Sequence, residues 1–316
     1  MRLRDIGEWA LIERIREFAG AEGLGLFDDC AVLEPPPGRL LVSTDAMVEG
    51  VHFDAALMSW HDVGYRALAG ALSDLAASGG ERPARYLVAL GLPGEFLVED
   101  AVAIYRGMHL CAERAGAQLA GGDTVEAPVA VLGLTVLAPV QRPLLRSGAR
   151  EGDLVFASGT LGRSARGLEL LRTGGAGPEI EAFLHPLPRL ALGSALAHLG
   201  ATACADVSDG LYPELKAIAE ASGVGIEVAE GDLPVCDKIP RSLALRYAYG
   251  GGEDYELVFT APPDLAADVL RLRAEHGPIA CIGVVRPRAQ GLTVRRDGAS
   301  EPLAASGYTH FARGEA

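Results

Sequence analysis

Lysine is nearly missing from this chain: Lys216 and Lys238 are its two copies, so almost all positive charge is carried by arginine. No G-x-x-x-x-G-K-[ST] segment occurs anywhere, which excludes a P-loop kinase. Basic charge is scarce overall, with 28 basic against 42 acidic residues and a net charge of -14. That balance argues against nucleic-acid backbones and anionic membrane surfaces as main partners. The five cysteines, Cys30, Cys111, Cys204, Cys236 and Cys281, are odd in number and widely spaced, and they form no C-x-x-C. They fit reduced thiols better than a disulfide framework or a zinc site, and Cys30 is expected to be a small buried hydrophobe. No apolar run of 18 residues exists, and the N-terminal stretch carries Asp5 and Glu8 with no apolar core of signal-peptide length. The expectation is a soluble, cytoplasmic protein.

What the chain does contain is apolar bulk and acid. With 316 residues and 49% hydrophobic composition it is long enough for two domains with sizeable cores. An acidic protein that handles phosphates needs cations as intermediaries, so acids set aside to hold divalent ions are the feature to find.

The coarse pattern is α/β. Ile6, Trp9, Ile12, Ile15 and Phe18 recur at helical spacing, which predicts an amphipathic helix over 5–19. The run "RLLVSTDAMVEGVHF" reads as a strand leaving into a loop, and Asp62 as the N-cap of a helix whose stripe is Val63, Ala67, Ala71, Leu75 and Ser78. Asp74 falls on or beside that stripe, with no lysine or arginine one turn away. Apolar strands over 84–93 and 127–140 flank a helix near 98–115. The Pro- and Gly-containing stretch at 141–153 marks a domain boundary, predicting domains at 1–140 and 141–316. In the second, which opens on the strand "LVFASGT", helices are expected near 163–173, 187–199 and 212–222, and further strands near 203–207, 226–229, 255–260, 279–285 and 292–296.

The candidate acids are Asp28-Asp29, Ser43-Thr44-Asp45, Asp74, Gly121-Gly122-Asp123-Thr124 and "ADVSDG" with Asp206 and Asp209. Nearly all are expected where a strand stops, the position at which α/β folds bind ligands. Two glycines before an aspartate allow a backbone to pass close to a phosphate beside a cation, although each such segment alone also describes an ordinary turn. Asp74 is different: a carboxylate on a buried helical stripe needs a partner, and a metal ion is the natural one. His52 could donate to an anionic substrate or be an incidental loop histidine. Arg146 could clamp a phosphate or be a surface linker residue. "YGGGEDYEL" at 249–257 could present Glu253 to a ligand or form a hairpin turn.

Taken together, "DDCAVL" (28–33), "VSTDAMVEGVHF" (42–53), "ALSDLAASG" (71–79), "LAGGDT" (119–124), "LRSGAREGD" (145–153), "DVSDGL" (206–211), "GGEDYEL" (251–257) and "GYTHF" (307–311) resemble the thiamine-monophosphate kinase family. That family sits in the ATP-binding superfamily that includes aminoimidazole ribonucleotide synthetase and selenophosphate synthetase. The resemblance implies two α/β domains of the aminoimidazole ribonucleotide synthetase-like type, paired as a homodimer through the N-terminal sheets. It implies several magnesium ions held by Asp29, Ser43, Thr44, Asp45, Asp74, Asp123, Asp206 and Asp209. ATP is implied to meet Gly121, Gly122, Arg146 and Ser208, and thiamine monophosphate to meet His52, Glu253 and Tyr308. Asp123 is expected to share a magnesium with Asp45. The chain departs from the family in carrying Phe27 where a glycine is usual, which bears on Asp28.

The implied reaction is phosphoryl transfer from ATP to a phosphate, with no residue needed as general base. A selenophosphate synthetase would carry a reactive cysteine in a glycine-rich N-terminal segment, and the hydrogenase-maturation relative a C-terminal cysteine; neither pattern is found. Aminoimidazole ribonucleotide synthetase and a non-catalytic nucleotide- and metal-binding dimer are the alternatives.

Overall fold

The computed structural model describes residues 1–19, 30, 33, 38–304 and 307. The chain divides into two compact units, Met1–Leu75 with Gly80–Gln141, and Ala76–Gly79 with Arg142–Ala316.

In the first unit the order is α1 (Leu3–Ile15), β1 (Arg39–Val48), α2 (Trp60–Ala77), β2 (Ala84–Leu92), α3 (Val98–Ala115), β3 (Ala117–Glu126) and β4 (Val131–Val140). The strands form one mixed sheet in the order β1-β4-β2-β3. β1 and β2 run antiparallel to β4, while β2 and β3 are parallel and joined through α3. Alternate residues Leu132, Leu134, Val136 and Ala138 of β4 and Tyr86, Val88 and Leu90 of β2 are buried on one face. α2 and α3 approach closely at two glycines: a Cβ on Gly64 would lie 1.9 Å from the Ile104 carbonyl oxygen, and one on Gly107 would lie 1.9 Å from that of His61.

The second unit contains β5 (Leu154–Ser158), α4 (Arg163–Thr173), α5 (Glu179–Leu184), α6 (Leu190–Leu199), β6 (Ala203–Asp206), α7 (Leu211–Ser222), β7 (Gly225–Ala229), α8 (Arg241–Gly250), β8 (Leu257–Ala261), α9 (Ala266–Arg271), α10 (Arg273–His276), β9 (Ile279–Arg286), β10 (Leu292–Arg296) and β11 (Ala299–Pro302). Its mixed sheet has the order β11-β10-β7-β9-β5-β8-β6. One face packs on α7 through Leu211, Leu215, Ile218, Val155, Ile226, Val228 and Ile282. Both units therefore mix helices with mixed sheets, the fold class expected.

Local differences from the expected pattern have physical causes. The buried residues of the first helical segment are Leu11, Ile15, Phe18 and Ala19, while Trp9, two positions before Leu11 and so on the opposite side of the helix, stays exposed, and Gly7 breaks the helical backbone at φ 73°. α2 is capped by Ser59, not Asp62: Ser59 Oγ accepts from Asp62 N at 3.2 Å, and Asp62 Oδ2 accepts from Ser59 N at 3.1 Å, a reciprocal box. Nor is α2 a one-sided helix, since residues 63–73 are buried all round. Cys30 is exposed, not buried, and Cys111, Cys204 and Cys236 are the enclosed thiols.

Candidate active site

In the first unit, β1 carries Ser43, Thr44 and Asp45 as consecutive strand residues, so their side chains alternate between faces. Ser43 points toward the helices and donates from Oγ to Asp74 Oδ2 of α2 at 2.5 Å. Asp74 is half-buried among fully buried neighbours. Asp45 lies two residues along from Ser43, hence on the same face, and its Oδ1 accepts from the Ala46 N–H at 2.8 Å. Thr44 faces the other way, where its Oγ1 donates to the Leu134 carbonyl at 3.1 Å and meets Thr135 Oγ1 at 3.3 Å. What Thr44 can offer a cation beside Asp45 is therefore its backbone carbonyl rather than its hydroxyl.

The Gly121-Gly122-Asp123-Thr124 segment does not follow a strand; it lies inside β3. Its backbone keeps pairing with β2 across a register irregularity at Tyr86/Leu87, which sequence patterning cannot reveal. β3 is an edge strand, so its outer side presents main-chain N–H and C=O groups that the sheet does not use. The same four residues line a cleft with Glu8, Ile12 and Ile15 of α1 and Tyr105 of α3. Tyr105 shares a side-chain hydrogen bond with Thr124, and burial pushes its hydroxyl pKa up. The two glycines are unequal. A Cβ on Gly122 would lie 2.2 Å from the Val88 carbonyl oxygen, whereas one on Gly121 would meet nothing nearer than Leu87 Cδ2 at 3.8 Å. Gly122 is required by strand packing, whereas a side chain at Gly121, a buried position, would make only ordinary van der Waals contact.

Register corrects one expectation. Asp45 pairs with Leu134, Leu134 with Val88, and Val88 with Gly122, one residue before Asp123. Three interstrand steps put Asp45 and Asp123 ~14 Å apart across the sheet, too far for both to ligate one ion within a single chain. Among the described residues of either unit, no three of the predicted acids bring oxygen atoms within 4.8 Å of one another.

His52 sits after β1, half-buried, with Nδ1 accepting from the Val48 N–H at 3.1 Å. That bond requires the proton on Nε2.

In the second unit the "DVSDGL" and "GGEDYEL" segments are brought together by backbone pairing. Val207 N donates to Glu256 O at 2.7 Å, Tyr255 N to Val207 O at 3.0 Å, and Glu253 N to Ser208 O at 2.6 Å. Asp206, buried, ends β6, and Ser208 and Asp209 follow in the loop beside Glu253. The glycines before Glu253 join α8 to β8, which excludes the hairpin alternative. Glu253 and Tyr255 hold φ values of 60° and 50°, left-handed conformations that non-glycine residues adopt at a cost and that concentrate at functional sites. Arg146 is exposed, and its Nη2 donates to Glu214 Oε2 at 3.2 Å. Asp28, Asp29 and Tyr308 lie outside the described residues.

Several supporting residues escaped sequence reasoning. Asp254 accepts from Gly162 N at 2.6 Å and Ser164 N at 3.0 Å, capping α4 from a distant part of the chain. Enclosure of its carboxyl pushes the pKa up to about 7, against the pull of those two N–H donors. Glu256 is held by Arg189 through both carboxylate oxygens and accepts from Ser158 Oγ at 2.5 Å. These contacts brace the strained 253–256 stretch from both sides. The one available sequence signal was the absence of Ser, Thr, Asp or Asn at Gly162, the residue before α4.

The chain matches two family models, AIR synthase related protein, N-terminal domain, over residues 27–140, and AIR synthase related protein, C-terminal domain, over residues 150–295. It is 38% identical to thiamine-monophosphate kinase of Escherichia coli K12, covering 97% of this chain and 98% of that protein. The crystal structure of thiamine-monophosphate kinase from Stenotrophomonas maltophilia K279a superposes with a TM-score of 0.83 at 35% identity, covering 92% of this chain and 97% of the other. The structure of AaThiL complexed with AMPPCP and TMP superposes with a TM-score of 0.77 at 32% identity, covering 98% and 99%. The chain belongs to the AIR synthase related proteins and, among them, to the thiamine-monophosphate kinase family.

Proposed function

We propose that the chain transfers the γ-phosphoryl group of ATP directly to the phosphate of thiamine monophosphate, forming thiamine diphosphate and ADP. The observation that carries this reading is the near full-length match to a relative solved with AMPPCP and TMP, together with the acid-bearing segments of this chain. The acceptor oxygen is already anionic near neutral pH, so no side chain is needed to remove a proton. The obstacle is like charge: two unit charges about 4 Å apart repel by about 4 kcal/mol at an effective dielectric of about 20, and two polyphosphates bring several such pairs.

The donor set fits magnesium. Ser43 and Asp74 present oxygens 2.5 Å apart, Asp45 adds a carboxylate on the same face, and all are hard oxygen donors. In this reading Ser43, Thr44 (by its carbonyl), Asp45 and Asp74 form one cation-holding group, Asp123 another, and Asp206 and Asp209 a third, with Asp29 joining them. Magnesium, when bound, supplies charge neutralisation and phosphate alignment.

The side chains do the rest. Gly121 and Gly122 let the β3 backbone approach a phosphate closely. Arg146 and Ser208 donate to ATP oxygens. His52, its Nδ1 engaged, offers Nε2–H to the phosphate of the acceptor. Glu253 receives the polar edge of the aminopyrimidine, with Tyr308 against a ring. Residues 1–140 form the ATP- and metal-binding, dimerising domain and residues 141–316 the second domain.

The partner is a second copy of the chain. The sheet face opposite the helices exposes Leu40 and Val42 at 48% and 61%, an apolar strip on the edge strand β1 that suits a self-complementary contact. No helix among the described residues is long and apolar enough to cross a membrane, and the working compartment in this reading is the cytoplasm. Product analysis tests the reaction. ATP and thiamine monophosphate must yield thiamine diphosphate and ADP in equal amounts, and the precursor of aminoimidazole ribonucleotide must yield nothing; the reverse pattern rejects it.

A further inference from the structure

We infer that Glu214 and Ser222, both on α7, are positioning residues that hold Arg146 ready for a polyphosphate; the inference rests on the reading of Arg146 as an ATP contact. Arg146 lies in the segment ahead of β5 with its side chain 56% exposed. An exposed arginine on a connecting segment ordinarily samples many rotamers and offers a ligand a poorly ordered donor. Here both its backbone and its guanidinium are fixed by one helix.

Ser222 fixes the backbone. Its Oγ accepts from the N–H groups of Gly148 and Ala149, each at 3.1 Å, and donates to the Arg146 carbonyl at 3.2 Å. One hydroxyl thereby makes three bonds to the turn that carries the arginine. On the other side, Cys204 N donates to the Leu145 carbonyl at 2.9 Å, pinning the segment to β6.

Glu214 fixes the guanidinium. It sits about two turns earlier on the same helix and is 3% exposed, yet its Oε2 receives Arg146 Nη2 at 3.2 Å. A carboxylate this enclosed needs a permanent cation, and arginine stays charged at any physiological pH. The pair commits one nitrogen of the fork. Nη2 carries a second N–H, so the guanidinium keeps further donors that can meet phosphate oxygens. The buried acid therefore sets direction without consuming the arginine's capacity for anions. Glu214 makes further polar contacts, so its own deletion is best read against Arg146.

The test is a kinetic double-mutant cycle on the full chain, with ATP and thiamine monophosphate as substrates. Glu214→Gln and Ser222→Ala are each expected to raise KM for ATP by on the order of tenfold, leaving KM for thiamine monophosphate near the parent value. Ser222→Thr, which keeps the hydroxyl, is expected to restore the ATP value. In the Arg146→Ala background, Glu214→Gln is expected to add nothing further to KM for ATP. If the two effects multiply, or if Ser222→Ala leaves KM for ATP unchanged, the positioning role is overturned. Arg146→Ala with an unaltered KM for ATP, in an enzyme that still makes thiamine diphosphate, removes the ATP role of Arg146 while leaving the proposed reaction standing. Ser222→Ala keeps the test valid should the Glu214 variant fail to fold.

Discussion

Ser43 Oγ and Asp74 Oδ2 are 2.5 Å apart, a hydrogen bond that ties the middle of β1 to the last turn of a buried helix. It places a half-buried carboxylate beside a strand whose next residue on the same face is Asp45, which is exposed, and this grouping is the foundation for the proposed cation site. Asp74→Asn keeps the size of the side chain and its capacity to accept from Ser43 while removing the charge. Turnover is expected to fall by on the order of a hundredfold or more, with the circular-dichroism spectrum unchanged. Full turnover in that variant would remove Asp74 from the metal site.

The unequal glycines of β3 give opposite expectations from the same substitution. Gly122→Ala drives a methyl group to 2.2 Å from the Val88 carbonyl oxygen, so the thermal midpoint should drop by several degrees. Gly121→Ala meets only Leu87 Cδ2, at 3.8 Å, and should melt close to the parent, while KM for ATP rises because the added methyl hinders the close approach of ATP to the β3 backbone. Calorimetry and initial rates on the two variants check both halves.

Asp254 makes stability depend on pH in a defined direction. Its carboxyl is raised to about 7 in the folded chain by enclosure, against about 4 when unfolded. Between those values the folded state holds a proton that the unfolded state has lost, so this contribution is complete below about pH 4, declines as pH rises, and is gone above about 7. The thermal midpoint of Asp254→Asn, measured across pH 4 to 8, should lack this decline. An unchanged pH slope would show that Asp254 does not titrate in that window.

The apolar strip on β1 predicts a state of association. Val42, 61% exposed on the open face of the sheet, is replaced by a charge in Val42→Glu. Sedimentation is expected to give a dimer for the parent and a monomer for the variant, with the fold of each chain retained. A parent that sediments as a monomer at micromolar concentration would contradict the proposed pairing.

Much of the fold was written locally. α3 follows from a helical period over 98–115 closed by Gly116 in the left-handed conformation, and β2 and β4 follow from apolar runs bounded by prolines and glycines. Patterning missed what depends on pairing. The Gly-Gly-Asp segment reads as a turn, yet it stays in β3 because β2 satisfies its backbone. β11 carries only the residues ASEP and exists through its ladder with β10. At the site, Asp74 was legible because an acid inside an apolar helix demands a partner, but that Ser43 contacts it is a long-range fact. Asp254 capping α4 from ninety positions away, and Glu214 meeting Arg146 across sixty-eight, leave no trace in local spacing.

The central claim is that the acceptor is the phosphate of thiamine monophosphate and the donor is ATP. A coupled assay of ADP formation, run with thiamine monophosphate and with unphosphorylated thiamine as control, tests it most directly. ADP released in step with thiamine diphosphate from the monophosphate, and none above background from thiamine, is the predicted result. Equal ADP release with and without either acceptor, or release with thiamine alone, would contradict the account.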